Sequence, residues 1–213
     1  MDIRVEQEHD QDLSRYALIS FDQERETLRR HRKILLCGDI YAADALTAVE
    51  DVHCLLTEES REPVEIIIST PGGIVESGLT IMDAIDELRR AGIRVIGRVH
   101  GAAMSMGCII LQKCDERIVS PSTWLMVHGL SETGFVSGRD LQESNSNQNW
   151  MKKITDQFVE LLVQRNTSKI AKYSKSTFWS KTLKSKAPLF FSADEAVEAG
   201  LADKVERIGD VNN

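Results

Sequence analysis

Ser105 lies in the small-residue run Gly101-Ala102-Ala103-Met104-Ser105-Met106-Gly107, and the apolar stretch Cys108-Ile109-Ile110-Leu111 follows it. A strand-like segment, Arg94 to Val99, leads into the run, so the spacing predicts a serine on a strand-to-helix turn. Free N–H groups at a helix start and small flanking residues suit an exposed nucleophilic hydroxyl whose attack creates negative charge. Ala103-x-Ser105-x-Gly107 is a relaxed form of the G-x-S-x-G elbow.

Two further segments carry complementary chemistry. Ser69-Thr70-Pro71-Gly72-Gly73 follows the apolar run Val64 to Ile68, where a tight backbone turn could aim a bare N–H at an oxyanion. Trp124-Leu125-Met126-Val127 ends in His128, and histidine is the usual general base for a serine hydroxyl. A serine in a Gly/Ala turn or a histidine closing a strand is each commonplace alone. Serine, donor segment and histidine, all at strand ends, together point to acyl transfer through a covalent intermediate.

These elements need a scaffold, and the hydrophobic pattern supplies one. Lys33 to Cys37 reads as a strand, Ala42 to Thr57 as a helix, Val64 to Ser69 as a strand, and Val75 to Ala91 as a helix with Leu79, Met82, Ile85 and Leu88 on one face. The alternation continues through Ser105, then gives short strands at Glu116 to Val119 and Thr123 to Val127. A long helix follows from Arg139 to Arg165, striped by Trp150, Ile154, Phe158 and Leu161 and polar over Gln142 to Asn149. Repeated βαβ units predict an α/β domain with a largely parallel sheet.

In this order and spacing the three motifs resemble the proteolytic subunit of the Clp (caseinolytic) ATP-dependent proteases, over Lys33 to Val205. Gly134 to Gly138 and the run Phe191 to Asp203 add less specific likeness. The resemblance implies Ser105 as nucleophile, His128 as general base, and the backbone N–H groups of Gly73 and Met106 as oxyanion hole. It implies a crotonase-like spiral of βαβ units with a protruding handle helix at about 134–165, a single domain over 33–213, and an N-terminal segment, 1–32, corresponding to an axial gate. The implied assembly is a homo-oligomer of heptameric rings stacked as a tetradecamer around an enclosed chamber. An AAA+ unfoldase would feed it unfolded chains or peptides, with ATP used by that partner and no cofactor on this chain.

One position departs from the pattern. The family's triad aspartate lies two residues before the aromatic that opens the Phe-x-Ser-Ala-x-Glu-Ala motif, which is Pro188 here, and Lys181 to Leu189 holds no carboxylate. The third triad member is unknown from sequence. Asp156, Glu160, Asp194 and Glu195 are the nearest acids, and a backbone carbonyl or Ser185 are other orienting groups. Two alternatives follow: a noncatalytic or weakly active subunit completing a mixed ring with a paralogue, and a crotonase-like acyl-CoA enzyme, which needs no serine nucleophile.

Composition narrows the classes. A chain of 213 residues carries one sizeable core, and a net charge of −7 argues against non-specific nucleic-acid binding. The basic runs Arg29 to Lys33 and Lys169 to Lys186 read as solvated faces. No apolar stretch approaches membrane-spanning length and the acidic N-terminus has no leader character, so a cytoplasmic location is expected. Cys37, Cys54, Cys108 and Cys114 lack metal-ligand spacing and read as free buried thiols, with Cys108 a poor nucleophile inside a helix.

Overall fold

Runs of Ile, Val and Leu in this chain form strands because both of their faces are covered, the arrangement that parallel sheets require. The computed structural model describes residues 23–130, 141–185 and 187–207. Helix α1 (residues 23–30) is followed by β1 (Lys33–Ile40), α2 (Ala42–Thr57), β2 (Val64–Gly73), α3 (Val75–Arg90) and β3 (Val95–Met104). Then come α4 (Met106–Leu111), β4 (Glu116–Val119), β5 (Trp124–Val127), α5 (Leu141–Gln164), α6 (Ser176–Lys184), β6 (Leu189–Ser192), α7 (Ala193–Glu198) and β7 (Lys204–Val205). The expected Gly134 to Gly138 motif, the start of the expected handle and residues 1–22 lie outside the described residues.

The main sheet runs β1-β2-β3-β4-β7, all parallel. Strands β2 and β3 bury Ile66, Ile68, Val95 and Val99 against Val52 and Leu55 of α2 and Ile81, Ile85 and Leu88 of α3, all at most 1 % exposed. This is the expected α/β architecture of successive βαβ units.

Strand β3 has two partners along one edge, and that division builds the site. Its first half, Ile96 to Val99, pairs with β4, while Ala102 to Met104 pairs with β5. Between them the chain turns at Ser120 to Thr123, held by the Ser120 N–H and the Thr123 hydroxyl donating to the Val99 carbonyl at 3.1 Å each. Strand β5 then pairs antiparallel with β6. Thus the end of β3, which delivers Ser105, lies beside the end of β5, which delivers His128.

Three strands extend further than the sequence suggests, the first being β1, which runs on from Cys37 to Ile40. Strand β2 continues through Pro71-Gly72-Gly73, paired with Asp39 and Ile40 of β1 after a bulge, and β3 continues to Met104. The extra residue lies on β2, where Thr70 and Pro71 together oppose Gly38 of β1, whose φ is 83°, and the Gly-Gly segment stays in the sheet.

The basic run Arg29 to Lys33 is only partly a solvated face. Arg25 and Arg29 reach the carboxylate of Asp51 on α2, which is 4 % exposed, and Arg32 donates to Glu58 and to the Glu62 carbonyl. The Arg25 and Arg29 pairs hold α1 against α2. Lysines in the second run, including Lys169, Lys172 and Lys181, are exposed as expected. Cys37 and Cys54 are exposed rather than buried, because they lie on outward faces of β1 and α2. No described helix is long and apolar enough to cross a membrane.

Arg117 on β4 is fully buried, a costly placement for a charge. Its guanidinium donates to both carboxylate oxygens of Asp203, to Gln112, to the Gly200 carbonyl and to Thr167, and the Asp203 carboxylate also accepts the Arg117 N–H. This gives a structural reason for the terminal Gly200-Leu201-Ala202-Asp203 run. Removing one partner of such a pair leaves an uncompensated charge, so Arg117→Met is expected to lower stability by about 3–5 kcal/mol in urea denaturation. Burial pushes the Asp203 carboxyl up, but the hydrogen bonds and charge of Arg117 outweigh it and hold it below its usual value. The pair's contribution is therefore fully present above the carboxyl's unfolded pKa, about 4, and is lost as pH falls through the folded value. The variant should lack that acid-side loss.

Candidate active site

The turn after β3 places Ser105 at φ 52°, ψ −120°, on the left-handed side that non-glycine residues seldom occupy. Such a conformation costs on the order of 1–3 kcal/mol and persists only where its surroundings over-determine it. They do so here. The Ser105 N–H donates to the Met126 carbonyl at 2.8 Å, and its carbonyl accepts from the Cys108 and Ile109 N–H groups.

Glycines bring the neighbouring elements up to the turn. A Cβ on Gly72 would lie 2.7 Å from the Ser105 Cβ and 2.9 Å from the Met104 carbonyl oxygen. On Gly107 it would lie 2.3 Å from the Thr70 Cγ2, and on Gly78 2.3 Å from the Met106 side chain. Thr70, almost completely buried, fixes the facing strand: its hydroxyl donates to the Gly38 carbonyl at 2.5 Å and accepts the Gly72 N–H at 3.0 Å. The sequence reading had no role for this threonine, and its one signal is a polar residue beside Pro-Gly-Gly. Gly72→Ala forces a side chain into the turn at φ 106°. It is expected to cost about 1–3 kcal/mol of stability and, by displacing Ser105, to slow its acylation about 10²-fold, read as the labelling rate by an active-site phosphonate.

Ser105, His128, Gly73 and Met106 line one small cavity with Val75, Ile109, Val127, Leu130, Phe158 and Leu183. Its volume, about 20 Å³, accommodates roughly a single water, and its walls are apolar apart from the serine and the histidine. All four residues singled out from sequence thus meet. Met106 opens a helix, so its N–H has no intrahelical acceptor; α4 has only six residues, so this local donor matters more than any helix dipole. Two larger hollows, of about 290 and 650 Å³, lie beside β1 and between α5 and α6, and neither contains the serine or the histidine.

The histidine's surroundings explain the missing acid. Strand β5 pairs Val127 with Leu189, so one further step of the register sets His128 opposite Pro188, an exposed residue. Among the described residues, no carboxylate lines the cavity. Asp156 and Glu160 face the α5–α6 groove, where Glu160 accepts from Gln164. Asp194 pairs with Arg207, and Glu195 closes a capping box with Ser192 at the start of α7. The Ser185 carbonyl accepts the Gly129 N–H at 3.3 Å, and the Ser185 hydroxyl accepts the Ala187 N–H at 3.1 Å. Among the described residues, neither the Ser105 hydroxyl nor the His128 ring has a hydrogen-bond partner. Cys108 is fully buried, and burial pushes its thiol up to about 12, which makes it inert as a nucleophile.

A parallel-dominated α/β sheet thus brings a strained serine and a histidine, at adjacent strand ends, into one cavity. The Clp protease family model matches residues 19–208, and the chain belongs to that family. It is similar to the ATP-dependent Clp protease proteolytic subunit 2 of Chlamydia trachomatis serovar D, with 27% identity over 180 residues, which cover 84% of this chain and 82% of the relative. The protein of the same description from Chlamydia pneumoniae matches with the same identity and coverage.

Proposed function

We propose that this chain is a Clp-type serine endopeptidase subunit that hydrolyses unfolded chains or short peptides. The observation that carries the reading is the strained Ser105 turn, φ 52°, opening onto the cavity that holds His128 and the Gly73 and Met106 backbone. The Ser105 Oγ attacks the scissile carbonyl carbon and its proton passes to His128. The Gly73 and Met106 N–H groups stabilise the resulting oxyanion. As the tetrahedral adduct collapses, His128 returns the proton to the departing amine, leaving an acyl-serine. Water, deprotonated by His128, then attacks that ester and restores the serine.

Family membership supports oligomeric assembly, and by analogy with its relatives the subunit works in stacked rings with an ATP-driven unfoldase. Enclosure of the sites in a chamber keeps an indiscriminate peptidase from folded proteins. The four free cysteines fit a reducing, cytoplasmic location. The test is hydrolysis of a fluorogenic peptide by the purified assembly, with its size read by light scattering. Turnover that falls about 10²-fold in Ser105→Ala supports the proposal, whereas turnover unchanged in that variant contradicts it.

Pro188 favours a second reading, in which the chain is a weakly active member of a mixed ring that works beside a paralogue with a complete triad. Co-purification with such a paralogue and a deficit of activity in the isolated chain would support it. A homo-oligomer that degrades peptides at full rate would exclude it. No comparable observation favours acyl-CoA chemistry, for which a strained serine has no use.

A further inference from the structure

We propose that the outer face of β5 and β6 is a platform for apolar substrate side chains a few residues from the scissile bond. This rests on reading Ser105 as the nucleophile. Alternation along β5 buries Leu125 and Val127 in the core and leaves Trp124 and Met126 on the opposite face, with Trp124 49 % exposed. Strand β6 buries Phe191 and turns out Phe190, 48 % exposed, and the register sets Phe190 opposite Met126. On the other side, Ala102 and Met104 of β3 pair with Trp124 and Met126, while Ala103 between them is buried. The result is a continuous apolar strip of Ala102, Met104, Trp124, Met126 and Phe190, without a charged residue in it.

Its position identifies its occupant. One residue beyond Met104 is Ser105, and two beyond Met126, just past the end of β5, is His128. At about 3.3 Å per residue, Met126 lies roughly 7 Å and Trp124 roughly 13 Å along the strand from His128. A substrate held extended has the same rise and the same alternation. Its second and fourth residues, counted from the cleaved bond on one side, therefore point onto Met126 with Phe190 and onto Trp124. Unfolded chains expose large apolar side chains that folded ones bury, so this strip selects unfolded polypeptide by chemistry. Exposed aromatic anchors beside a site are also where binding free energy concentrates.

The experiment measures binding of fluorescent peptides to the assembled Ser105→Ala protein, which removes turnover from the readout. One peptide carries leucine or phenylalanine at the alternate positions and its twin carries serine there. The apolar peptide is expected to bind at least about tenfold more tightly, as burial of one large side chain implies. Trp124→Ala or Phe190→Ala should bring the ratio toward one, and Trp124→Phe should retain it. Equal affinities in the parent protein, or a ratio unmoved by the alanine variants, would overturn the proposal. So would loss of the ring-sized assembly in those variants, which would assign the face to a second copy of the chain. Phosphonate labelling of the unmodified protein separates the two readings. Peptide discrimination without labelling sinks the role of Ser105 and leaves the platform standing; labelling without discrimination sinks the platform alone.

Discussion

Pro188→Asp should raise kcat for peptide hydrolysis by about 10³- to 10⁴-fold. In serine proteases with a complete triad, loss of the aspartate's charge costs about 10⁴-fold, because the imidazole then takes the wrong tautomer and its protonated form goes unstabilised. Here the β5–β6 register ends at Val127 with Leu189, so one further step sets residue 188 opposite His128, and among the described residues no carboxylate lines the cavity. Position 188 is exposed, so an aspartate there pays little desolvation until it meets the ring. The measurement is steady-state turnover of one fluorogenic peptide by both proteins at matched assembly size. A gain of less than about tenfold would mean that another group already orients His128.

Ser105→Ala carries the second large effect, and its size depends on residue 188. Catalytic residues that act as a unit are strongly non-additive. Removing the serine of a full triad costs about 2 × 10⁶ in kcat, and removing the aspartate alone costs about 3 × 10⁴. Most of the serine's advantage is therefore already absent in a site without the acid. In the natural chain Ser105→Ala should lower kcat only about 10²-fold, the quotient of those costs. In the Pro188→Asp background it should cost about 10⁶-fold. Equal losses in the two backgrounds would show that position 188 and Ser105 act independently, against the proposed geometry.

Sequence alone singled out four residues that share one cavity, because the proposed chemistry rests on residues with few substitutes. Only glycines allow β2 to approach within contact of the Ser105 turn, and only a titratable ring at the end of β5 can serve as base. For the same reason the βαβ order was readable from apolar periodicity, with α2 matching its expected span at both ends. What escaped depends on pairing between distant segments. Strand β2 continues through Pro71-Gly72-Gly73 because it bulges at Thr70-Pro71 opposite Gly38 of β1, and no local propensity announces that. Thr70 became a clamp only once the Gly38 carbonyl lay 2.5 Å away. The paired arginines of α1 looked solvated because their acceptor, Asp51, is more than twenty residues distant in sequence. Counting residues located the vacancy at Pro188, and the β5–β6 register, which ends at Val127 with Leu189, sets that position one step on from its last pair.

The most direct measurement is intact-mass analysis of the assembled protein after treatment with a fluorophosphonate probe, beside Ser105→Ala and Pro188→Asp. The expected result is one phosphonyl adduct per chain, mapped to Ser105. It should form slowly in the natural chain and much faster with aspartate at 188, and it should be absent from the alanine variant. An assembly of full size that acquires no adduct, even with the aspartate in place, would contradict the assignment of Ser105 as the nucleophile.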